Sequence, residues 1–253
     1  NDANYRFESL ELECNLFESS DLAGFASKLS GTVGIDLTSL EHRVWAPLIR
    51  AFAAAGSDFM VLYAEPGEYR SSSELPGRIY DLSLSLGIEP LPGFAKIGRR
   101  PDNEGYFAPL LGFEGARLRH IFDQEEVEAG NTSPVIGVPG FRLEYSMSAY
   151  LSNQALLEEG HMGQRVEFAR ASCPFEAYRA LQRIHARSEG KYLRIAPIGT
   201  KPHALGAVLY AIRNAEMVEL IYDHPVRAPG RTDGVSIVNC YEVSAFLSWQ
   251  GSL

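Results

Sequence analysis

Gly199, Thr200 and Lys201 stand between a short apolar run, residues 192–198, and a stretch with helical spacing. A helix starting here leaves the N–H groups of its first turn without intrahelical partners and carries partial positive charge at that end. Glycine admits close approach to the backbone, threonine supplies a hydroxyl and lysine a full charge. Together they form a candidate anion or phosphate cradle. The spacing matches neither the Walker loop nor the G-x-G-x-x-G dinucleotide turn.

The surroundings occur twice. Val33-Gly34-Ile35-Asp36-Leu37-Thr38 is strand-like, a helical stretch carries Trp45, Leu48, Ile49 and Phe52, and a strand ends in Tyr63-Ala64-Glu65-Pro66. In the second copy Thr200 leads into Leu205, Val208, Leu209 and Ile212, then a strand ending in Tyr222-Asp223-His224-Pro225. Thr38 and Pro66 are 28 residues apart, Thr200 and Pro225 are 25. The spacing fits an internal duplication, and it equally fits the general likeness of any two βαβ units.

Strands alternate with helices almost throughout: strands at 33–37, 59–64, 108–115, 134–141, 165–171 and 192–198, helices at about 40–55, 75–86, 146–158 and 174–188, and a last strand or pair over 235–246. Residues 87–107, rich in Pro, Gly and Arg, suit a loop or lid. Several strands are continuous apolar runs, the signature of a sheet covered on both faces. The expected fold is α/β, a mostly parallel Rossmann-like sheet with helices on both faces, in two related halves, 1–107 and 108–253, that can also form one continuous domain.

In such sheets ligands bind beyond the carboxyl ends of the strands. The polar residues following the strands are Asp36, Thr38, Glu65, Tyr69, Glu114, Arg117, Tyr145, Thr200, Lys201, Asp223 and His224. Candidate ligand contacts are Asp36, Thr38, Tyr69, Arg117, Gly199, Thr200, Lys201 and His224. Glu65, Glu114 and Asp223 are acid/base candidates if the protein is an enzyme. Helix capping accounts equally for Asp36 and Thr38, and turn chemistry for the acids before proline. Arg117 and Lys201 sit in first helical turns, where the dipole does not favour a cation, so each points to an anionic partner.

The chain has 253 residues, a net charge of −9 and a pI near 5.2. No basic stripe is present, which argues against an extended nucleic-acid surface, while a small phosphorylated ligand needs only one or two cations. Three separated cysteines fit a reducing cytoplasm. No apolar run approaches membrane-span length and the start does not read as a signal peptide, so a cytoplasmic protein is expected. The six histidines show no H-E-x-x-H and no metal-ligand spacing, and neither a metal nor a cofactor is expected.

Ile198-Gly199-Thr200-Lys201-Pro202, continuing through Ala204-Leu205-Gly206-Ala207, resembles a ligand-facing turn of CRISPR-associated Rossmann-fold (CARF) sensor domains. The related SAVED sensors are two fused CARF-like units, which the tandem arrangement would fit. The likeness covers residues 192–225 and faintly 33–66. Leu37-Thr38-Ser39 has neither the glycine nor the lysine, so only Thr200 and Lys201 carry over. It implies a sensor of a cyclic oligonucleotide signal in bacterial antiviral defence, with an effector as partner chain. The residues leave two other readings open. One is a hydrolase or transferase acting on a small phosphorylated or nucleotide-like substrate. The other is a protein-interaction subunit of a larger complex, with its acidic loop 123–128 facing a basic partner.

Overall fold

The computed structural model describes residues 4–7, 12–69, 83–85, 87–95, 105–227 and 232–250. The chain divides into two compact units. One comprises Asn1–Glu65, Leu91–Gly93 and Ser236–Leu253, the other Pro66–Pro90 and Phe94–Val235. The expected boundary between 107 and 108 falls inside a strand, Tyr106–Pro109.

The first unit opens with an antiparallel pair, β1 (Asn4–Phe7) and β2 (Leu12–Asn15), then α1 (Ser19–Lys28). Next come β3 (Val33–Asp36), α2 (His42–Ala54) and the start of β4 (Phe59–Tyr69). β3 and β4 are parallel, with Val33 opposite Phe59 and Asp36 opposite Leu62. On α2, Val44, Trp45, Leu48, Ile49 and Phe52 recur at helical spacing and are buried. Phe52 meets Phe25 of α1 edge to face, ring centres 6.2 Å apart. β13 (Thr232–Tyr241) pairs with β4, and α7 (Val243–Gln250) follows it. Over 235–246, where a last strand or pair was expected, one strand runs into a helix.

In the second unit the described elements before the main layer are β5 (Ser83–Ser85) and β6 (Glu89–Pro90). Ser83–Ser85 is a strand where a helix was expected over 75–86; the rest of that stretch up to Leu82, and 96–104 of the expected loop, lie outside the described residues. Then follow β7 (Tyr106–Pro109), α3 (Gly115–Glu125), β8 (Val135–Gly137), α4 (Leu143–Glu159), β9 (Glu167–Ala169) and α5 (Pro174–Arg187). β10 (Leu193–Ala196), α6 (Lys201–Arg213), β11 (Val218–Tyr222) and β12 (Pro225–Arg227) complete it. The four-stranded sheet has the order β6-β11-β10-β7. Parallel bridges from Phe107 to Thr132 and from Leu110 to Val135 carry the layer on to β8 and its parallel neighbour β9.

The α/β class is as expected, but the sheets are mixed. β3/β4, β7/β10, β10/β11 and β8/β9 are parallel, whereas β1/β2, β6/β11 and β5/β12 are antiparallel. The parallel pairs β3/β4 and β10/β11 are joined by crossover helices, which parallel connection requires; the antiparallel partners β5 and β6 are strands of two or three residues, lying outside the βαβ crossovers.

The core of this unit gathers Phe107, Leu118, Ile121, Ile136, Leu157, Ala196, Ile198 and Ile221. α6 is buried almost all round, which a helix shows when packed on several sides. A methyl group at Gly206 would come within 2.8 Å of the Ala177 Cβ, so glycine lets α5 and α6 approach closely. Among the described residues, no helix is long and apolar enough to cross a membrane.

Candidate functional site

From β7 the chain steps outward to β8 and β9, then returns to the other side of β7 for β10 and β11. The connections leaving β7 and β10 thus diverge, and such a reversal opens a crevice at the carboxyl ends of the strands. A cleft open to solvent lies there. Its walls are Leu111, Gly112, Phe113 and Glu114 after β7, Gly137, Gly140 and Phe141 at and after β8, Ala171 after β9, Ile198, Gly199 and Thr200 after β10, and Tyr145 and Ala149 of α4. The loops after β7 and β10 touch backbone to backbone. A Cβ at Gly199 would lie 2.6 Å from the Leu111 carbonyl oxygen, and one at Gly112 2.9 Å from that of Ile198. Glycine at both positions is what lets these loops meet.

Behind the cleft sits a buried ion cluster. Arg117 donates from Nε to Asp223 Oδ2 at 2.7 Å and from Nη2 to Asp223 Oδ1 at 2.6 Å. Its Nη1 donates to the Ile198 carbonyl at 3.1 Å and lies 3.5 Å from Glu114 Oε2. Asp223 is fully buried and Glu114 is 3% exposed. Burial alone would lower the Arg117 pKa, but the hydrogen bonds to Asp223 and the neighbouring charges raise it above its ordinary value. The guanidinium also lies 5.5 Å from the centre of the Tyr222 ring. This two-pronged pairing fixes the loop after β7, the loop after β10 and the end of β11 together.

The sequence candidates divide accordingly. Glu114, Gly199 and Thr200 line the cleft, and Arg117 and Asp223 form the cluster behind it. The Thr200 hydroxyl accepts from the His203 amide at 3.3 Å, capping α6, and donates to the Ala171 carbonyl at 2.7 Å. Lys201 opens α6, is 7% exposed, and is not among the described residues lining the cleft. His224 stacks edge to face on Tyr222, 5.3 Å between ring centres, and its Nε2 lies 3.3 Å from the Glu89 carbonyl oxygen.

Asp36, Thr38 and Glu65 belong to the first unit. Asp36 Oδ1 accepts from the Thr38 amide at 2.7 Å, a local turn, and the Thr38 hydroxyl accepts from the Ala64 amide at 2.8 Å. Glu65 is buried, which raises its pKa, and a hydrogen bond from Asn239 opposes that rise. Tyr69 ends β4, and its side chain lies outside the described residues.

Phe113, Gly137, Gly140, Phe141, Ala149 and Ala171 were not among the sequence candidates, although most of them follow strands as the binding rule requires. The polarity of the candidates drew attention away from these apolar residues. Arg142, the N-cap of α4, was also missed; its guanidinium lies 6.0 Å from the centre of the Tyr145 ring, with one nitrogen 3.2 Å from Glu68.

No family model matches the chain, and no curated protein sequence matches it. The likeness to CARF and SAVED sensors therefore stands on the turn at Ile198–Pro202 and its flanks alone.

Proposed function

We propose that the protein binds a phosphate-containing nucleotide in the cleft of its second unit, and that it serves as a sensor of such a signal in bacterial antiviral defence, acting on an effector partner. On this reading the second unit is Rossmann-like and the two units are related halves. The observation that carries it is the cleft itself, where loops from four neighbouring strands meet at the reversal of strand order, the place where open α/β sheets take their ligands. Helices α3, α4, α5 and α6 all begin within three residues of a lining residue, so their positive ends flank the cleft. Two parallel strand pairs, β3/β4 and β10/β11, are also each joined by a thirteen-residue helix.

The test is a thermal-shift screen of mononucleotides, cyclic dinucleotides and cyclic oligonucleotides against the parent and Phe141→Ala. A ligand at 100 times its dissociation constant stabilises by about 2.7 kcal/mol, a rise of roughly 5–10 °C for a chain of this size. The rise should vanish in Phe141→Ala. Absence of any rise across the panel would sink the reading.

A hydrolase or transferase reading draws on Glu114, the acid among the lining residues. Asp223 favours it less, because both its oxygens are held by Arg117. Unchanged nucleotide after prolonged incubation, followed by mass spectrometry, counts against it.

A further inference from the structure

Helix α4 is apolar on two sides. Tyr145, Ala149, Leu156 and Leu157 are buried, Tyr145 and Ala149 against the cleft. Leu143, Met147, Tyr150 and Leu151 recur at the i, i+4, i+7, i+8 spacing of one helix face. All four are exposed, by 92, 60, 37 and 56%. An apolar helical stripe left in water over two turns marks a surface that another surface covers. Phe168, also exposed, adds to it. It stands in register beside Ile136, whose side chain clusters with Leu156 and Leu157, so both point to the α4 side of the layer.

Charge decides what kind of surface fits. From Tyr145 to Leu157 the helix carries no charged side chain. The charges at its ends are engaged within the chain. Arg142 donates to the Gly67 carbonyl at 2.7 Å and to Glu68 at 3.2 Å. Arg119 donates to Glu159 at 2.6 Å, and Gln154 donates to Glu158 at 2.6 Å. A strongly charged partner finds little to recognise there, and an anionic lipid surface finds no row of cations. The whole chain carries −9, so two copies repel wherever their charged faces approach. The stripe on α4 offers them an uncharged face that is complementary to itself.

The area agrees. At roughly 150–200 Å² per large side chain when fully exposed, the four residues leave about 350–500 Å² in water on each copy. Two such patches bury about 700–1,000 Å². With an apolar share near 65%, they belong to an interface of roughly 1,100–1,500 Å², which reaches the range of stable, specific pairs.

We infer that the protein forms a two-fold dimer through α4, with the two helices antiparallel and the axis beside Met147, the middle of the stripe. The ends select the antiparallel arrangement, because parallel helices would set Glu144 against Glu144 and Glu158 against Glu158. In the antiparallel pair the two Glu144 residues stand roughly 9 Å apart along the helix direction. The interface lies across α4 from Tyr145 and Ala149, so each copy keeps its own cleft. The dimer does not depend on what that cleft takes.

The experiment is sedimentation velocity of the full chain between about 1 and 100 μM, for the parent, Met147→Glu, Met147→Lys and Leu143→Glu, each variant first checked for a cooperative melt. The parent should sediment at twice the 27.9 kDa of one chain. Each variant should weaken the dimer roughly a hundredfold or more, since a charge is then buried or set against its like. An equimolar mixture of Met147→Glu and Met147→Lys should regain dimers, because the axis sets opposite charges side by side. A parent that stays at 27.9 kDa throughout overturns the dimer, and this outcome needs no variant to fold. A dimer that survives in folded Met147→Glu and Leu143→Glu uses another face, which overturns the assignment to α4. Failure of the mixture, with both Met147 variants monomeric alone, overturns the axis at Met147. A monomeric parent that floats with phosphatidylserine vesicles, where Leu143→Glu does not, gives the stripe to a lipid surface instead.

Discussion

The segments β3–α2–β4 and β10–α6–β11 are built alike and finished differently. Each is a parallel strand pair joined by a thirteen-residue helix, each strand-to-helix turn carries a threonine, and each helix buries a histidine in its first turn, His42 and His203. Yet Thr38 reaches sideways to the Ala64 amide of the neighbouring strand, whereas Thr200 caps its own helix. Glu65 sits buried within β4 with its pKa raised, while Asp223, just past β11, is locked to a guanidinium. The difference teaches that two βαβ units built alike diverge where a neighbouring strand supplies a charged partner. Asp223 has Arg117, which follows β7, and their pairing ties the end of β11 to the first turn of α3 behind the cleft.

The sharpest way to break this contrast is to remove the guanidinium. Arg117→Met leaves the fully buried Asp223 without its guanidinium, which should cost about 3–5 kcal/mol and lower the melting temperature by roughly 10 °C or more. Glu65→Gln mimics the protonated acid that burial already favours. Its effect should be far smaller than that of Arg117→Met and in the stabilising direction. Equal losses in the two variants, measured by urea unfolding, would show that the matched acids do the same job.

The histidine of α6 gives a second contrast through pH. His203 is fully buried, its Nε2–H donates to the Arg170 carbonyl at 3.0 Å, and burial pushes its pKa from 6.5 down to about 4. A base with a depressed folded pKa binds fewer protons folded than unfolded between those values, so stability is full above pH 6.5 and falls as pH drops toward 4. The loss across that window should be about 3 kcal/mol. His203→Asn keeps a donor for Arg170 and should flatten the slope. An unchanged slope in that variant would remove His203 as its source.

Much of the second βαβ unit was legible from sequence because its signals are local. Thr200 caps, Pro202 falls in the first helical turn, and the apolar runs of β10 and β11 bracket the helix. The start of α3 and the boundaries of α5 were read for the same reason. α7 was not, because Val243-Ser244-Ala245-Phe246-Leu247 has strand-like composition. What supports it comes from far along the chain: the Ser244 hydroxyl lies 2.9 Å from Asp58 Oδ1 and 3.2 Å from the Phe59 amide. α1, with Leu22, Phe25 and Ala26 buried, also escaped notice. The cleft was half legible. The rule that strand ends carry ligands picked out Glu114, Gly199 and Thr200, but which strand ends are neighbours depends on sheet order, and no local pattern reports that β7 separates β8 from β10. The Arg117–Asp223 pair joins residues 106 positions apart, beyond any periodicity argument.

The smallest effects concern the two threonines, and they sharpen the comparison most finely. Thr200→Ala removes the cap of α6 and the donor to the Ala171 carbonyl in a half-buried turn, and should cost about 1–2 kcal/mol. Thr200→Ser retains both bonds and should recover most of that loss. Thr38→Ala deletes the acceptor for the Ala64 amide, but Thr38 is exposed, water can take its place, and the cost should stay below about 1 kcal/mol. Hydrogen exchange separates the two roles where melting curves barely would. Protection should drop at the His203 amide, in the first turn of α6, for Thr200→Ala, and at the Ala64 amide, on β4, for Thr38→Ala. Loss of protection in the first turn of α2 on removing Thr38 would mean that this threonine is a helix cap after all, and the two turns would then differ only in what lies beside them.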